Sequence, residues 1–118
     1  MLDSNTVADY CRSLSGATEG YPFSPDALVF KVGGRIFAIL VEGSVSLKCD
    51  PLLAQALREE FSAVTPGYHL NKRHWNTVVI DGSLPDRMVA DMVEDSYDLV
   101  VSRLPQARRR ALGWRPDA

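Results

Sequence analysis

Hydrophobic and polar residues alternate without interruption between positions 44 and 49. The positions on one side are Val45, Leu47 and Cys49, and those on the other are Ser44, Ser46 and Lys48. Because successive side chains of a strand point to opposite faces, this alternation predicts a strand that is buried on one face only. One-sided burial is typical of an antiparallel sheet that carries its helices on a single face, and we expect that architecture here.

Two further strands precede this one. The segments 28–32 and 35–41 are rich in β-branched and aromatic residues and are separated only by Gly33-Gly34. Such a Gly-Gly pair predicts a two-residue hairpin, since both glycines can take positive φ at little cost. Residues 75–80 predict another strand later in the chain. A short strand around Pro66-Gly67 brings the expected total to about five.

Three segments have apolar residues at the spacing of a buried helix face. The first ends at Gly16. The second begins at Asp50-Pro51, where an N-cap acceptor precedes a proline at the first helical position. The third follows Ser83 and Asp86, which have capping-box spacing. The residues that line these faces are Val7, Tyr10, Cys11 and Leu14; Leu53, Ala56, Leu57 and Phe61; and Val89, Met92, Val93, Ser96, Val100 and Leu104.

These elements follow one another in the order α-β(3)-α-β(2)-α. They predict a two-layer α+β sandwich, with an antiparallel sheet and helices on one face. We expect residues 1–105 to form the single domain. We interpret residues 106–118 as a basic C-terminal tail that contributes little to the fold, because Pro105 ends the last helix and no apolar periodicity follows.

The composition is that of an ordinary globular domain, with 46% hydrophobic and 24% charged residues in a chain of 118. The formal charge of −2 offers no diffuse attraction to nucleic acid, so any electrostatic footprint for it must be local. The N-terminal residues lack the basic and apolar regions of a signal peptide, and the longest apolar run, residues 36–41, is too short to cross a membrane. We therefore expect a cytoplasmic protein with no membrane partner.

Five segments carry a family resemblance that runs from about Pro22 to Pro105. They are LVFKVGGRIFAIL, SLKCDP, TPGYHLNKRHWNTV, DGSLPD and SYDLVVSRLP. In these segments the chain resembles the MmcQ/YjbR family of small bacterial proteins, and residues 66–77 are the most specific part. The resemblance implies a secretion-chaperone-like fold, which agrees with the predicted order of elements. It also implies the description that this family usually carries, a DNA-binding protein.

Residues 68–75, YHLNKRHW, form what we call the basic-aromatic segment. It offers two cations for phosphates, an amide for hydrogen bonding and several rings for stacking on bases. The alternative interpretation is that Tyr68 and Trp75 pack in the core while the charged residues cover a turn. The residues that we assign to nucleic-acid binding are Asn71, Lys72, Arg73 and His74, helped by Lys31, Arg35 and Lys48 if those strands present the same face.

Other chemistry-bearing residues fit structural roles better. His69 and His74 lie five apart, which puts them on one side of neither a helix nor a strand, and with Cys49 they lack the further ligands of a zinc site. The acidic residues of the third helix suit its solvated outer face; they are Asp91, Glu94, Asp95 and Asp98. The sequence thus predicts no metal site, no cofactor and no catalytic residue.

The favoured function is a non-enzymatic binding protein, with DNA or RNA as the first candidate ligand. The alternative is a protein- or peptide-binding module, since chaperone-like folds offer grooves that suit extended segments. A small-molecule enzyme comes third. The sequence does not predict the oligomeric state.

Overall fold

Six strands and four helices make up the computed structural model, which describes residues 3–114. The strands are β1 (Thr18–Gly20), β2 (Leu28–Val32), β3 (Arg35–Val41), β4 (Ser44–Lys48), β5 (Val64–Pro66) and β6 (Trp75–Val79). The helices are α1 (Ser4–Ser13), α2 (Pro51–Glu60), α3 (Asp86–Ser102) and α4 (Gln106–Ala111). The strands form one sheet in the order β1-β2-β3-β4-β6-β5, and every neighbouring pair is antiparallel. The predicted α+β class with an antiparallel sheet is confirmed.

The two faces of the sheet differ in what covers them. One row of cross-strand partners is buried in the core beneath the helices, and it consists of Phe30, Ala38, Leu47 and Asn76. The next row points the other way, since side chains alternate along each strand; its members are Val29, Ile39, Ser46 and Thr77. Residues of α1 and α3 join the first row in one core cluster, and α2 meets Asn76. All three long helices therefore lie on one face, as predicted.

The Ser96 side chain connects α3 to strands β3 and β4 by hydrogen bonds. A bulge leaves Phe37 of β3 without a partner on β2, because Phe30 pairs with Ala38 while Lys31 pairs with Ile36. The fully buried Ser96 hydroxyl donates a hydrogen bond of 2.6 Å to the Phe37 carbonyl and accepts one of 2.8 Å from the Lys48 amide. The pairing of β3 with β4 ends at Ala38 and Leu47, and this one side chain joins the next backbone groups of the two strands, the Phe37 carbonyl and the Lys48 amide.

The start of α2 is as predicted, and its core-facing side is as predicted in part, since Leu57 and Phe61 pack against the core while Leu53 and Ala56 are exposed. The Asp50 carboxylate accepts hydrogen bonds from the amides of Leu52 and Leu53, and Pro51 is the first helical residue. However, Ala54 is the only residue of this helix that is buried, and Leu53 is 45% exposed. The Ala54 carbonyl accepts a hydrogen bond from the Asn76 side chain, a contact that periodicity does not reveal. The predicted capping box ahead of α3 is also absent: the helix begins after Pro85, without a side-chain cap.

Two elements were not predicted. Strand β1 pairs with β2 at the edge of the sheet, and α4 occupies part of the segment that we interpreted as a tail. After α4, Leu112 and Trp114 are half-buried against the core, and the Trp114 indole N–H donates to Asp98. Pro105 ends α3 but also stands at the N-cap of α4, because a proline that cannot continue one helix is well suited to start another.

The predicted hairpin between β2 and β3 is present. Gly33 and Gly34 have φ of 59° and 81°, the left-handed region that two-residue hairpins require. A Cβ at Gly33 would also lie 2.7 Å from a terminal methyl group of Leu104, which would have to move. Among residues 3–114, no helix is long and apolar enough to cross a membrane.

Candidate nucleic-acid interface

The loop between β5 and β6 folds back onto its own strand. The Gly67 amide donates to the Trp75 carbonyl at 2.9 Å, and the Tyr68 amide donates to the Thr77 hydroxyl at 3.0 Å. A Cβ at Gly67 would lie 2.7 Å from that of Trp75, so only glycine permits this approach. The start of the loop is thus fixed against the face of the sheet opposite the helices, where the Thr77 hydroxyl also bonds Ser46 at 2.8 Å.

Two of the predicted binding residues also hold the loop together. The Asn71 side-chain oxygen accepts a hydrogen bond of 3.0 Å from the Arg73 amide, which is an Asx turn. The Lys72 ammonium donates to the Gly67 carbonyl at 3.1 Å, while the Lys72 carbonyl accepts from Arg58 of α2. The Asn71 amide oxygen is therefore engaged, and Lys72 keeps an exposed cation with donors to spare.

The exposed end of the loop combines rings and charge. The Tyr68 and His69 rings lie 4.0 Å apart with an interplanar angle of 50°. Tyr68 is 72% exposed, so the interpretation that its ring packs in the core does not hold. His69 has a φ of 58°, which is uncommon for a residue other than glycine. Arg73 is exposed, and its guanidinium makes no hydrogen bond or ion pair within residues 3–114.

The register of the sheet brings the other predicted cations to the same end of the molecule. Lys48 is the last residue of β4 and lies opposite Trp75, the first of β6. Arg35 begins β3 opposite Val32, and Lys31 is the residue before Val32 in β2. Since neighbouring strands are about 4.8 Å apart, these residues span roughly 15 Å of one sheet end. We call this end, with residues 68–74, the basic end.

Not every predicted residue faces the same way. Lys31 and Lys48 lie two positions after Val29 and Ser46 along their strands, so their side chains are on the face opposite the helices, where both are half-buried. Arg35 is exposed but pairs with the core residue Val32, so it lies toward the helix side of the hairpin. His74 is half-buried between the loop and β6. Arg108 of α4 also reaches this end and donates to the Gly33 carbonyl at 3.2 Å, which the sequence did not indicate.

The thiols and the histidines do not form a second kind of site. Burial raises the pKa of the Cys11 thiol to about 12, and burial likewise raises the pKa of the Cys49 thiol. Both are therefore protonated near neutral pH and are poor nucleophiles. Within the described part of the chain, no group of three or more His, Cys, Asp or Glu residues could hold a metal ion.

Three members of the acidic stripe on α3 have structural partners. Glu94 accepts from the Tyr10 hydroxyl at 2.9 Å, Asp98 accepts from Trp114, and Asp91 pairs with Arg87 at 3.2 Å. Asp95 instead lies beside a cleft between α2 and α3. Burial first, and then the neighbouring Asp98, raise the pKa of Asp95.

Comparison with known proteins identifies the family. The family model described as YjbR matches residues 12–99. The chain belongs to the YjbR family. It is 41% identical over 110 residues to the uncharacterized protein YjbR of Escherichia coli K12, covering 90% of this chain and 93% of that protein. It is also 35% identical over 88 residues to the uncharacterized protein YbdF of Escherichia coli O157:H7, covering 71% and 72% of the two chains.

Solved structures of this fold support the architecture described above. The crystal structure of the Deinococcus radiodurans protein DR2400 is similar with a TM-score of 0.89 and 34% identity, covering 98% of this chain and 91% of that one. A crystal structure of a Pseudomonas syringae protein is similar with a TM-score of 0.74 and 26% identity, over 84% of this chain and 99% of that one. The resemblance seen in the sequence is thus confirmed as family membership.

Proposed function

We propose that this YjbR-family protein binds nucleic acid at the basic end, with at least one unpaired base stacked on the Tyr68–His69 pair. The observation that carries the proposal is the 72% exposure of Tyr68 beside the exposed cations of Lys72 and Arg73. An exposed aromatic ring beside two cations offers a stacking surface next to phosphate-binding groups, and every base has a face that can stack on it.

The loop geometry favours this use. The Gly67 and Tyr68 amides donate hydrogen bonds, and the Asn71 side-chain oxygen accepts one from the Arg73 amide, so the loop backbone is already ordered and binding costs little further conformational entropy. Stacking on an aromatic side chain contributes about 1–3 kcal/mol per base, and the cations contact phosphates without reading sequence. We therefore expect binding that discriminates strandedness more than sequence.

A direct test is fluorescence anisotropy with labelled single-stranded DNA, single-stranded RNA and duplex DNA of equal length. The protein should bind the single strands at low salt, and Tyr68→Ala should weaken that binding roughly tenfold. Tyr21→Ala is the matched control, because Tyr21 is 59% exposed but lies after β1, away from the loop. Absence of binding by the unaltered protein at low salt would overturn the proposal.

A protein- or peptide-binding module is the second candidate. It is favoured by two exposed apolar residues at the start of α2, where Leu52 is 81% exposed and Leu53 is 45% exposed. Large exposed aliphatic side chains in adjacent positions are typical of surfaces that meet another protein. This candidate takes the place of the first if no oligonucleotide binds at low salt.

A further inference from the structure

A cleft runs between α2 and α3 on the helix side of the sheet, whereas Tyr68 lies in the loop between β5 and β6. It has an inner cavity of about 30 Å³ and two open arms of about 390 Å³ and 450 Å³. Leu53 and Asp95 line all three parts, so they stand at the point where the arms meet the cavity. The walls near this point are mostly apolar and include Leu57 and Met92.

The inner cavity contains a buried acceptor without a donor. Asn76 is 3% exposed, and its side-chain nitrogen donates to the Ala54 carbonyl at 3.3 Å. Its side-chain oxygen, Oδ1, has no hydrogen-bond partner among the described residues, although Asn76 lines the cavity. A buried polar atom left unpaired destabilises the fold, so a group that donates a hydrogen bond there is favoured.

The charged residues around the cleft favour a hydrogen-bond donor that carries a positive charge. Four carboxylates line the cleft, against two basic residues, Lys48 and Arg87; the carboxylates are Asp50, Asp91, Asp95 and Asp98. Arg87 is already paired with Asp91. The Asp95 carboxylate has no ion-pair partner within residues 3–114. A cation is therefore attracted to the mouth of the cavity, and an anion is repelled.

The size of the cavity limits the head group. A water molecule requires roughly 10–15 Å³ by this measure, so 30 Å³ holds about two waters or one ammonium head, and not a bulky quaternary ammonium. The apolar arms suit a hydrocarbon body, and Met88 and Met92 can adjust their shape around it. We infer that the α2–α3 cleft binds small primary amines with an apolar body, whose ammonium group donates to Asn76 Oδ1 and lies against Asp95.

The inference is tested by NMR titration of the ¹⁵N-labelled full chain with n-hexylammonium. Neutral hexanol and anionic hexanoate have the same body and serve as matched ligands. We expect saturable shifts of the Asn76 side-chain amide and of the Leu53 and Met92 backbone with hexylammonium. Hexanol should bind roughly tenfold more weakly, and hexanoate should cause no saturable shift.

Two variants and one control variant test the two polar groups of the site separately. Asp95→Asn removes the charge and keeps the shape, and it should weaken hexylammonium binding about five- to tenfold. Glu94→Gln makes the same charge change on the neighbouring residue, which bonds Tyr10, and should change the affinity less than about twofold. Asn76→Leu should weaken the binding of both hexylammonium and hexanol, since each donates to Oδ1, provided that its spectrum is that of a folded protein.

Three results would overturn the inference. Equal affinities for hexylammonium and hexanol would mean that the cleft is only an apolar hollow. The absence of saturable shifts with hexylammonium in the tens-of-millimolar range would mean that water alone occupies the cavity. An Asp95→Asn variant that binds as tightly as the unaltered protein would mean that the amine lies elsewhere.

Discussion

The Trp114 indole N–H donates a hydrogen bond of 2.9 Å to the Asp98 carboxylate, joining the segment after α4 to the middle of α3. The neighbouring Leu112 carbonyl accepts from the Ser15 hydroxyl at 3.0 Å, across 97 positions of sequence. Both apolar side chains are half-buried against the core. The end of the described chain therefore packs beside α3 and the segment that follows α1.

Deletion of residues 106–118 should lower the thermal midpoint by several degrees, because Leu112 and Trp114 lose contacts worth about 2–3 kcal/mol together. Trp114→Phe in the full chain is the control, since it keeps a ring and removes only the bond to Asp98, and should cost about 1 kcal/mol. A truncated chain that melts at the same temperature as the full chain would instead support the expectation that residues 106–118 are a tail.

Ser96→Ala should destabilise the fold by about 1–3 kcal/mol, because it leaves the buried Phe37 carbonyl and Lys48 amide without their shared partner. Ser102→Ala is the matched control on the same helix. Its hydroxyl is exposed and bonds only the Leu99 carbonyl within the helix, so its loss should cost under about 0.5 kcal/mol. Urea unfolding measures both, and equal costs would contradict the bridging role of Ser96.

The raised pKa of Asp95 should make the free energy of unfolding decrease as the pH rises, which is the opposite of the usual effect of an aspartate. Its pKa is raised in the folded protein, so the folded chain holds the proton more tightly than the unfolded chain does. Its contribution to stability is present when pH falls below the folded pKa and is lost as pH rises above it. Asp95→Asn should therefore stabilise the protein near pH 7, by less than about 1 kcal/mol because the side chain is partly exposed.

The gain from Asp95→Asn should disappear below about pH 3, where the aspartate is protonated in both states. Glu94→Gln should give no comparable gain, because the amide keeps an acceptor for Tyr10. Thermal melts of the three proteins from low to neutral pH measure the difference. A gain that is the same at every pH would show that packing and not charge is responsible.

The sequence predicts those elements whose signals are local. Alternation in β4, the Gly33-Gly34 turn and the Asp50-Pro51 helix start all depend on neighbouring residues, and all three appear in the structure. Strand β1 has only three residues with no apolar pattern, and it exists because β2 offers it a free edge. Helix α4 has no buried residue of its own, so no periodicity marks it.

The candidate site depends more on register than on spacing. The residue types of the basic-aromatic segment are visible in the sequence, but the opposition of Lys48 and Trp75 follows from how β4 pairs with β6. The exposure of Tyr68 and its contact with His69 depend on the bond between the Tyr68 amide and Thr77. Likewise, the contact of the Asn76 side-chain nitrogen with the Ala54 carbonyl, and the lack of a partner for its oxygen, cannot be predicted from the apolar pattern of α2.

The salt dependence of single-stranded DNA binding tests the central proposal most directly. If Lys72 and Arg73 each contact a phosphate, replacing both by alanine should lower the slope of log affinity against log salt by about 1.4, at roughly 0.7 per contact. Arg87→Ala is the control for net charge, because Arg87 is exposed on α3 beyond the opposite end of β6. It should leave the slope unchanged. A double variant that binds with the slope of the unaltered protein would contradict the assignment of the basic end as the nucleic-acid interface.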